Sequence, residues 1–166
     1  GHNVLSLSDR DLVSYTKSIR DPSGSKYLNK LIKNTIENFK PNLIILGHAD
    51  RVKSETLLEA KEKISHLKIC QWFLDPLSKK GPDYKKNKER LLDKSSICDS
   101  TFITTSPDAL NFKIKNPFYM PNPCDRSLDY LTNFNNMHDF DIFYAISHGV
   151  HRGSLRYGKN DEREIF

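Results

Sequence analysis

The sequence predicts an α/β protein: a parallel sheet with helices on both faces. Two observations carry this. Short apolar runs rich in Val, Ile and Phe alternate with longer stretches of 3.6-residue periodicity, which is the pattern of successive βαβ units. One of those runs, residues 42–47 (Asn-Leu-Ile-Ile-Leu-Gly), is apolar almost without a break, as a strand covered by helices on both faces has to be. Size agrees, since 166 residues with 37% hydrophobic side chains suffice for one ordinary domain and fall short of two.

The elements follow in order. Residues 4–7 (Val-Leu-Ser-Leu) read as a first strand. After Asp21-Pro22-Ser23-Gly24, a helix over 25–38 places Leu28, Leu31, Ile32, Thr35, Ile36 and Phe39 along one face, and Pro41 stops it. The strand 42–47 comes next. A second helix over 54–66 has Ser54 as its N-cap and a stripe of Leu57, Leu58, Ala60, Lys61 and Ile64. The strand 68–74 leads through a polar loop to a basic helix over 83–95 and a strand over 100–104. Ser106-Pro107 has the form of a helix start, with Ser106 as cap and Pro107 in the first position. A strand over 118–120 is stopped by Pro121-Asn122-Pro123. A helix over 126–134, a polar linker, a strand over 141–147, a Gly-containing loop over 149–158 and a helical turn from 161 are expected after it. The boundary this implies divides an N-terminal domain, 1–135, from a linker and the start of a second domain, 136–166. No internal repeat accounts for the ending in another way.

Bulk properties narrow the function classes. No run approaches the roughly 18 to 20 apolar residues of a membrane span, and Gly1-His2-Asn3 has no signal-peptide pattern, so a cytoplasmic location is expected. Cys70, Cys98 and Cys124 are odd in number and widely spaced, and read as small buried hydrophobes rather than a disulfide frame or a zinc site. The net charge is +5 and the pI is near 9.0. Its densest source is Lys79-Lys80 with Lys85-Lys86-Asn87-Lys88-Glu89-Arg90, a solvated face or a basic rim for lipid or a phosphate-bearing ligand. A single aromatic, Tyr84, falls among these cations, which is not the interleaving that single-strand stacking requires and argues against nucleic acid.

Several segments, in order, resemble the N-terminal domain of GT-B-fold glycosyltransferases of the spore-maturation-protein-like and mannosyltransferase-like (group 1) branches. Pro41-Asn42-Leu43-Ile44-Ile45-Leu46-Gly47-His48 is similar to a Pro-Asp, strand, His segment. Ile69 to Asp75 is similar to the following strand, which in the family ends in a polar pair. Cys98 to Ser106 is similar to Ala-Asp-x-hydrophobic-x-x-x-Ser, and Met120-Pro121-Asn122-Pro123-Cys124-Asp125 to the Ile-Pro-Asn-Gly-Val-Asp phrase that closes the domain. Asp141 to Gly149, with Arg152, is similar to the first strand and loop of the donor-side domain. Pro123 replaces the usual Gly, and Leu74-Asp75 stands where many members carry His. The resemblance implies a Rossmann-like fold, a truncated two-domain architecture, a nucleotide-sugar donor and a carbohydrate, lipid or protein acceptor. It implies no divalent ion or other cofactor. Gly1-His2-Asn3-Val4 resembles the turn into the family's second strand, so the chain is expected to be a fragment, inactive alone.

Ligands of open parallel sheets bind at the carboxyl ends of the strands, where His48, Asp50, Asp75, Ser106 and Asp125 gather. Glycosyl transfer needs an acceptor for the proton of the incoming hydroxyl and cations or amides for the departing diphosphate. Asp75 suits the base, or else an Asx cap of its loop; His48 is the second candidate or a loop-bonded histidine. Residues 147–153 (Ser-His-Gly-Val-His-Arg-Gly) suit a phosphate, with Gly149 opening the backbone and Arg152 offering a fork. His148 and His151 lack a third ligand at suitable spacing for metal. A non-catalytic signalling or partner-binding module of receiver or flavodoxin type is the competing reading. The chain contains no Gly-x-Gly-x-x-Gly after a first strand for a dinucleotide.

Overall fold

Helix formation begins earlier than the periodicity indicates. Ser8 accepts a hydrogen bond from the Asp11 N–H at 3.4 Å and starts helix α1, Asp9–Thr16, with Asp9 and Asp11 in its first turn, where carboxylates complement the helix dipole. Residues 4–7, expected as the first strand, are not one: Val4, Leu5 and Leu7 are exposed and pair with no strand among the described residues. Four residues with no partner edge gain no ladder bonds, so their β propensity goes unused. The computed structural model describes residues 1–81, 83–123 and 137. The chain divides into two compact units, Gly1–Pro123 and Cys124–Phe166; the helix, strand and loop expected over 126–166 lie outside the described residues.

Helix α2, Ser25–Phe39, starts on Gly24 at φ +66°. A Cβ there would stand 2.6 Å from the Val13 carbonyl oxygen, so glycine serves both the left-handed turn and the close approach of α1. The cap proper is Asp21, whose Oδ2 accepts from the Lys26 and Tyr27 amides at 2.9 and 3.2 Å. Lys40 turns left-handed and ends α2 before Pro41.

Strands β1 (Leu43–Leu46), β2 (Lys68–Phe73), β3 (Ser100–Ile103) and β4 (Pro117–Tyr119) form one parallel sheet in the order β1-β2-β3-β4. The sheet class expected from the sequence is the one observed, a Rossmann-like α/β arrangement. Helix α3, Ser54–Lys63, joins β1 to β2, and α4, Tyr84–Ser95, joins β2 to β3. Ser54 does not cap α3; Lys53 precedes it without a side-chain bond, and the Ser54 hydroxyl donates instead to the Asp93 carbonyl at 3.4 Å. Ser106 does hold the N-cap position of the 3₁₀ turn Pro107–Ala109, without a side-chain capping bond, and Pro107 opens that turn as expected.

The described helices do not cover both faces. Register pairs Ile44 with Ile69, Leu46 with Gln71, Gln71 with Thr101 and Phe73 with Ile103, so alternation puts these residues on one side. That side meets Leu28, Ile36, Leu57, Ala60 and Ile97 in one core cluster, and Leu77 and Leu91 in another. Burying each such side chain contributes about 1.5 to 3 kcal/mol. The physical reason is topological: every crossover steps one strand in the same direction, and right-handed crossovers then place all connecting helices on one face. The other face carries Leu43, Ile45 and Phe118, each half or more exposed, with Phe102 stacked 5.6 Å from Phe118. Among the described residues β1 is thus an edge strand with Leu43 and Ile45 exposed, not the doubly buried strand its composition suggests.

Candidate functional site

The carboxyl ends of β1 and β2 lead into two loops, and both are pinned from outside. In the loop of residues 47–53, Ala49 sits at φ +39° and its carbonyl accepts the Val52 N–H at 3.1 Å. The buried Asn29 of α2 fixes the rest of that loop. Its amide donates to the Arg51 carbonyl at 3.1 Å, and its Oδ1 accepts from the Lys53 N–H at 2.8 Å and the Thr56 hydroxyl at 2.9 Å. The loop after β2 is held by the Thr104 hydroxyl on the Leu74 carbonyl (3.1 Å), the Leu77 N–H on the Thr105 hydroxyl (3.2 Å) and the Asn87 amide on the Pro76 carbonyl (3.1 Å). Leu77 anchors it in the core at 1% exposure. His48, Asp50 and Asp75 are therefore carried on well-supported backbone.

Helix α4 brings Arg90 between the two loops. Its Nε and Nη2 donate to the two oxygens of Asp50 at 2.9 and 3.0 Å, its Nη1 to Asp75 Oδ2 at 2.5 Å, and its Nη2 lies 2.7 Å from His48 Nδ1. His48 Nδ1 and Asp75 Oδ2 are 3.8 Å apart. The Phe73 ring lies beneath, 5.5 Å from the guanidinium carbon and edge-on to His48 at 6.3 Å. Burial works against the charge of Arg90, but the hydrogen bonds from Asp50 and Asp75 outweigh it and hold its pKa above the ordinary arginine value. Since a guanidinium only donates, His48 Nδ1 must be the acceptor in its contact, which leaves the ring proton on Nε2.

The sequence-expected pair His48 and Asp75 is brought together here, and Asp50 with them. The Asp75 carboxylate bonds to Arg90 rather than to a backbone N–H of its own loop. Ser106 follows β3 at the same sheet edge, exposed, and its hydroxyl has no hydrogen-bond partner among the described residues. Asp125, Gly149 and Arg152 lie outside the described residues. Arg90 escaped sequence reasoning because it closes a basic run that reads as solvated surface. The signal was its spacing: Asn87, Leu91 and Lys94 are buried, and Arg90 shares their side of α4 at i+3 from Asn87.

Other polar clusters lie at the opposite, amino edge of the sheet. Asp99 accepts the Ile69 N–H at 2.8 Å and pairs with Lys61 at 2.9 Å. A depression of about 390 Å³ lined by Ile36, Lys40, Ile64 and His66 lies at that same edge, away from the His48 cluster, and its charged walls Glu37 and Lys63 are already paired with each other. Among the described residues no group of His, Cys, Asp and Glu is arranged to hold a metal ion, and no helix is long and apolar enough to cross a membrane.

Fold and cluster together define a class: an α/β protein with a polar site at the carboxyl edge of a parallel sheet. No protein-family model matches the chain, and no curated protein or solved structure matches it.

Proposed function

We propose that the chain is the acceptor-side part of a GT-B-type glycosyltransferase, moving a sugar from a nucleotide-sugar donor to a hydroxyl acceptor. The observation that carries this reading is the meeting of His48 and Asp75 at the carboxyl edge, 3.8 Å apart, where open parallel sheets bind their ligands. The order of family-like segments along the chain supports it. In this reading Asp75 accepts the hydroxyl proton and His48 donates to a neighbouring oxygen. Ser106, Asp125, Gly149 and Arg152 are the residues this reading assigns to the donor, and the lysines at 79–88 suit anionic lipid at a cytoplasmic membrane surface.

The test is Asp75→Asn, which keeps shape and removes proton acceptance. Turnover of the natural protein with UDP- and GDP-sugars should fall roughly 10²- to 10⁴-fold. The melting temperature should change little, because a part-exposed ion pair contributes about 1 kcal/mol or less. The 166-residue chain alone should bind nucleotide sugars only weakly. Near-normal turnover with a clearly lower melting temperature would make Asp75 a structural partner of Arg90 and defeat the assignment.

One observation favours a second reading, an α/β partner-binding module: the sheet face bearing Leu43, Ile45 and Phe118 is apolar and exposed.

A further inference from the structure

A lone arginine at the carboxyl edge of a parallel sheet ordinarily suggests an anion site, since its fork matches phosphate. Here four of the five N–H donors are engaged. A guanidinium has five N–H donors; contacts to Asp50 Oδ1, Asp50 Oδ2, Asp75 Oδ2 and His48 Nδ1 use Nε, Nη1 and Nη2 together. One cation faces two carboxylates and an imidazole whose acceptor nitrogen is engaged. Among the described residues Arg10 is the other cation in contact, 3.6 Å from Asp50 with its side chain 67% exposed. A phosphate reaching Arg90 would have to break two ion pairs and then sit beside two displaced carboxylates, a like-charge arrangement. What the cluster offers outward is different: carboxylate lone pairs that accept, and a His48 Nε2–H that donates. A hydroxyl group both donates and accepts.

We infer that this cluster selects an uncharged, hydroxyl-bearing group and rejects a phosphorylated one, with Arg90 as the positioning residue that neutralises Asp50 and Asp75 and fixes the His48 tautomer. The inference rests on the glycosyl-transfer reading for the kind of hydroxyl compound, and it narrows the acceptor to one that presents no phosphate at this point.

The experiment uses the 166-residue chain and the His48 ring signals in long-range ¹H–¹⁵N spectra, assigned by their loss in His48→Gln. Methyl α-glucoside and inorganic phosphate are titrated in parallel at about pH 8, where an ordinary imidazole is neutral. The glucoside should move the His48 signals and phosphate should leave them in place. Asp50→Asn, which keeps the shape and frees half of the fork, should gain a phosphate response. The inference is overturned if phosphate moves His48 in the unmodified chain, if Asp50→Asn remains silent to phosphate while still folded by its amide spectrum, or if neither probe moves His48. A glucoside response in the 166-residue chain, together with no transfer from sugar nucleotides by the natural protein, would sink the glycosyltransferase reading and leave this inference standing. Transfer with a phosphate-responsive Arg90 would do the reverse.

Discussion

Asn29→Ala tests whether the loop bearing His48 and Asp50 is held from α2. Asn29 is 5% exposed. Truncation removes its amide from the Ser25 and Arg51 carbonyls and its oxygen from the Lys53 N–H and the Thr56 hydroxyl. The carbonyls keep other partners: Arg51 still accepts from the Ser25 hydroxyl at 3.1 Å, and Ser25 is inside the helix ladder. The two donors lose theirs, and Thr56 is 2% exposed. An orphaned buried donor costs about 1 to 3 kcal/mol, and water reaching the Lys53 amide offsets part of that, so the expected loss is about 2 to 4 kcal/mol. In urea, with a slope typical of a small domain, the midpoint should drop by roughly 1 to 2 M with the slope unchanged. Asn29→Asp should be no milder, because it keeps the accepting oxygen but sets a carboxylate against two carbonyls. Amide exchange over residues 47–53 should rise more than over β2. A loss under about 0.5 kcal/mol would mean that the loop is held without Asn29, and the description of the site's support would be wrong.

Three further outcomes follow from the same contacts. The Ile69 N–H bond draws the Asp99 carboxyl below its ordinary pKa, burial opposes this and Lys61 reinforces it. Its stabilisation is therefore complete above the unfolded value near about 4 and disappears as pH falls through the folded value below it. Urea midpoints should decline over that acid range, and Asp99→Asn should lower stability at neutral pH while flattening the decline. Burial pushes the Cys98 thiol up to about 11, so at neutral pH iodoacetamide should alkylate the half-buried Cys70 well before Cys98 by peptide mass mapping, and equal rates would contradict the packing. Leu91→Ala, at 0% exposure against Phe73 and Ile103, should cost about 2 to 5 kcal/mol in chemical denaturation, and a loss below 1 would mean that the site floor can collapse freely.

The sheet was legible because its strands carry period-2 or continuous apolar signals bounded by Pro, Gly and Asp, and helices α2 to α4 because their stripes repeat every 3.6 residues. Residues 4–7 show the limit of the same rule. A four-residue apolar run reads as a strand whether or not an edge exists to receive it. Helix α1 went unseen because its apolar content is thin, yet Ser8 and the two aspartates of its first turn are a cap signature that stands in the sequence. Residues 43–46 mislead for another reason. Leu-Ile-Ile-Leu is the same string in a strand buried twice and in an edge strand buried once; only the strand order decides which, and that order is a property of the crossovers.

The site divides along the same line. Strand-end logic finds His48, Asp50 and Asp75, since backbone leaving a buried parallel strand must emerge at the carboxyl edge and polar residues there have nowhere else to be. It cannot find what they do. A histidine beside an aspartate, read alone, is a candidate base; with a guanidinium on Nδ1 at 2.7 Å, the imidazole's only accepting nitrogen is engaged and its Nε2–H is left to donate. The residue that reverses the role comes from the inward stripe of a helix 42 residues further on. Its charge looks like solubility in the sequence and acts as internal neutralisation in the fold. Charge runs on amphipathic helices therefore merit reading by face: a cation on the buried side has a carboxylate to meet, and the loops at the nearest strand ends are where to look for it.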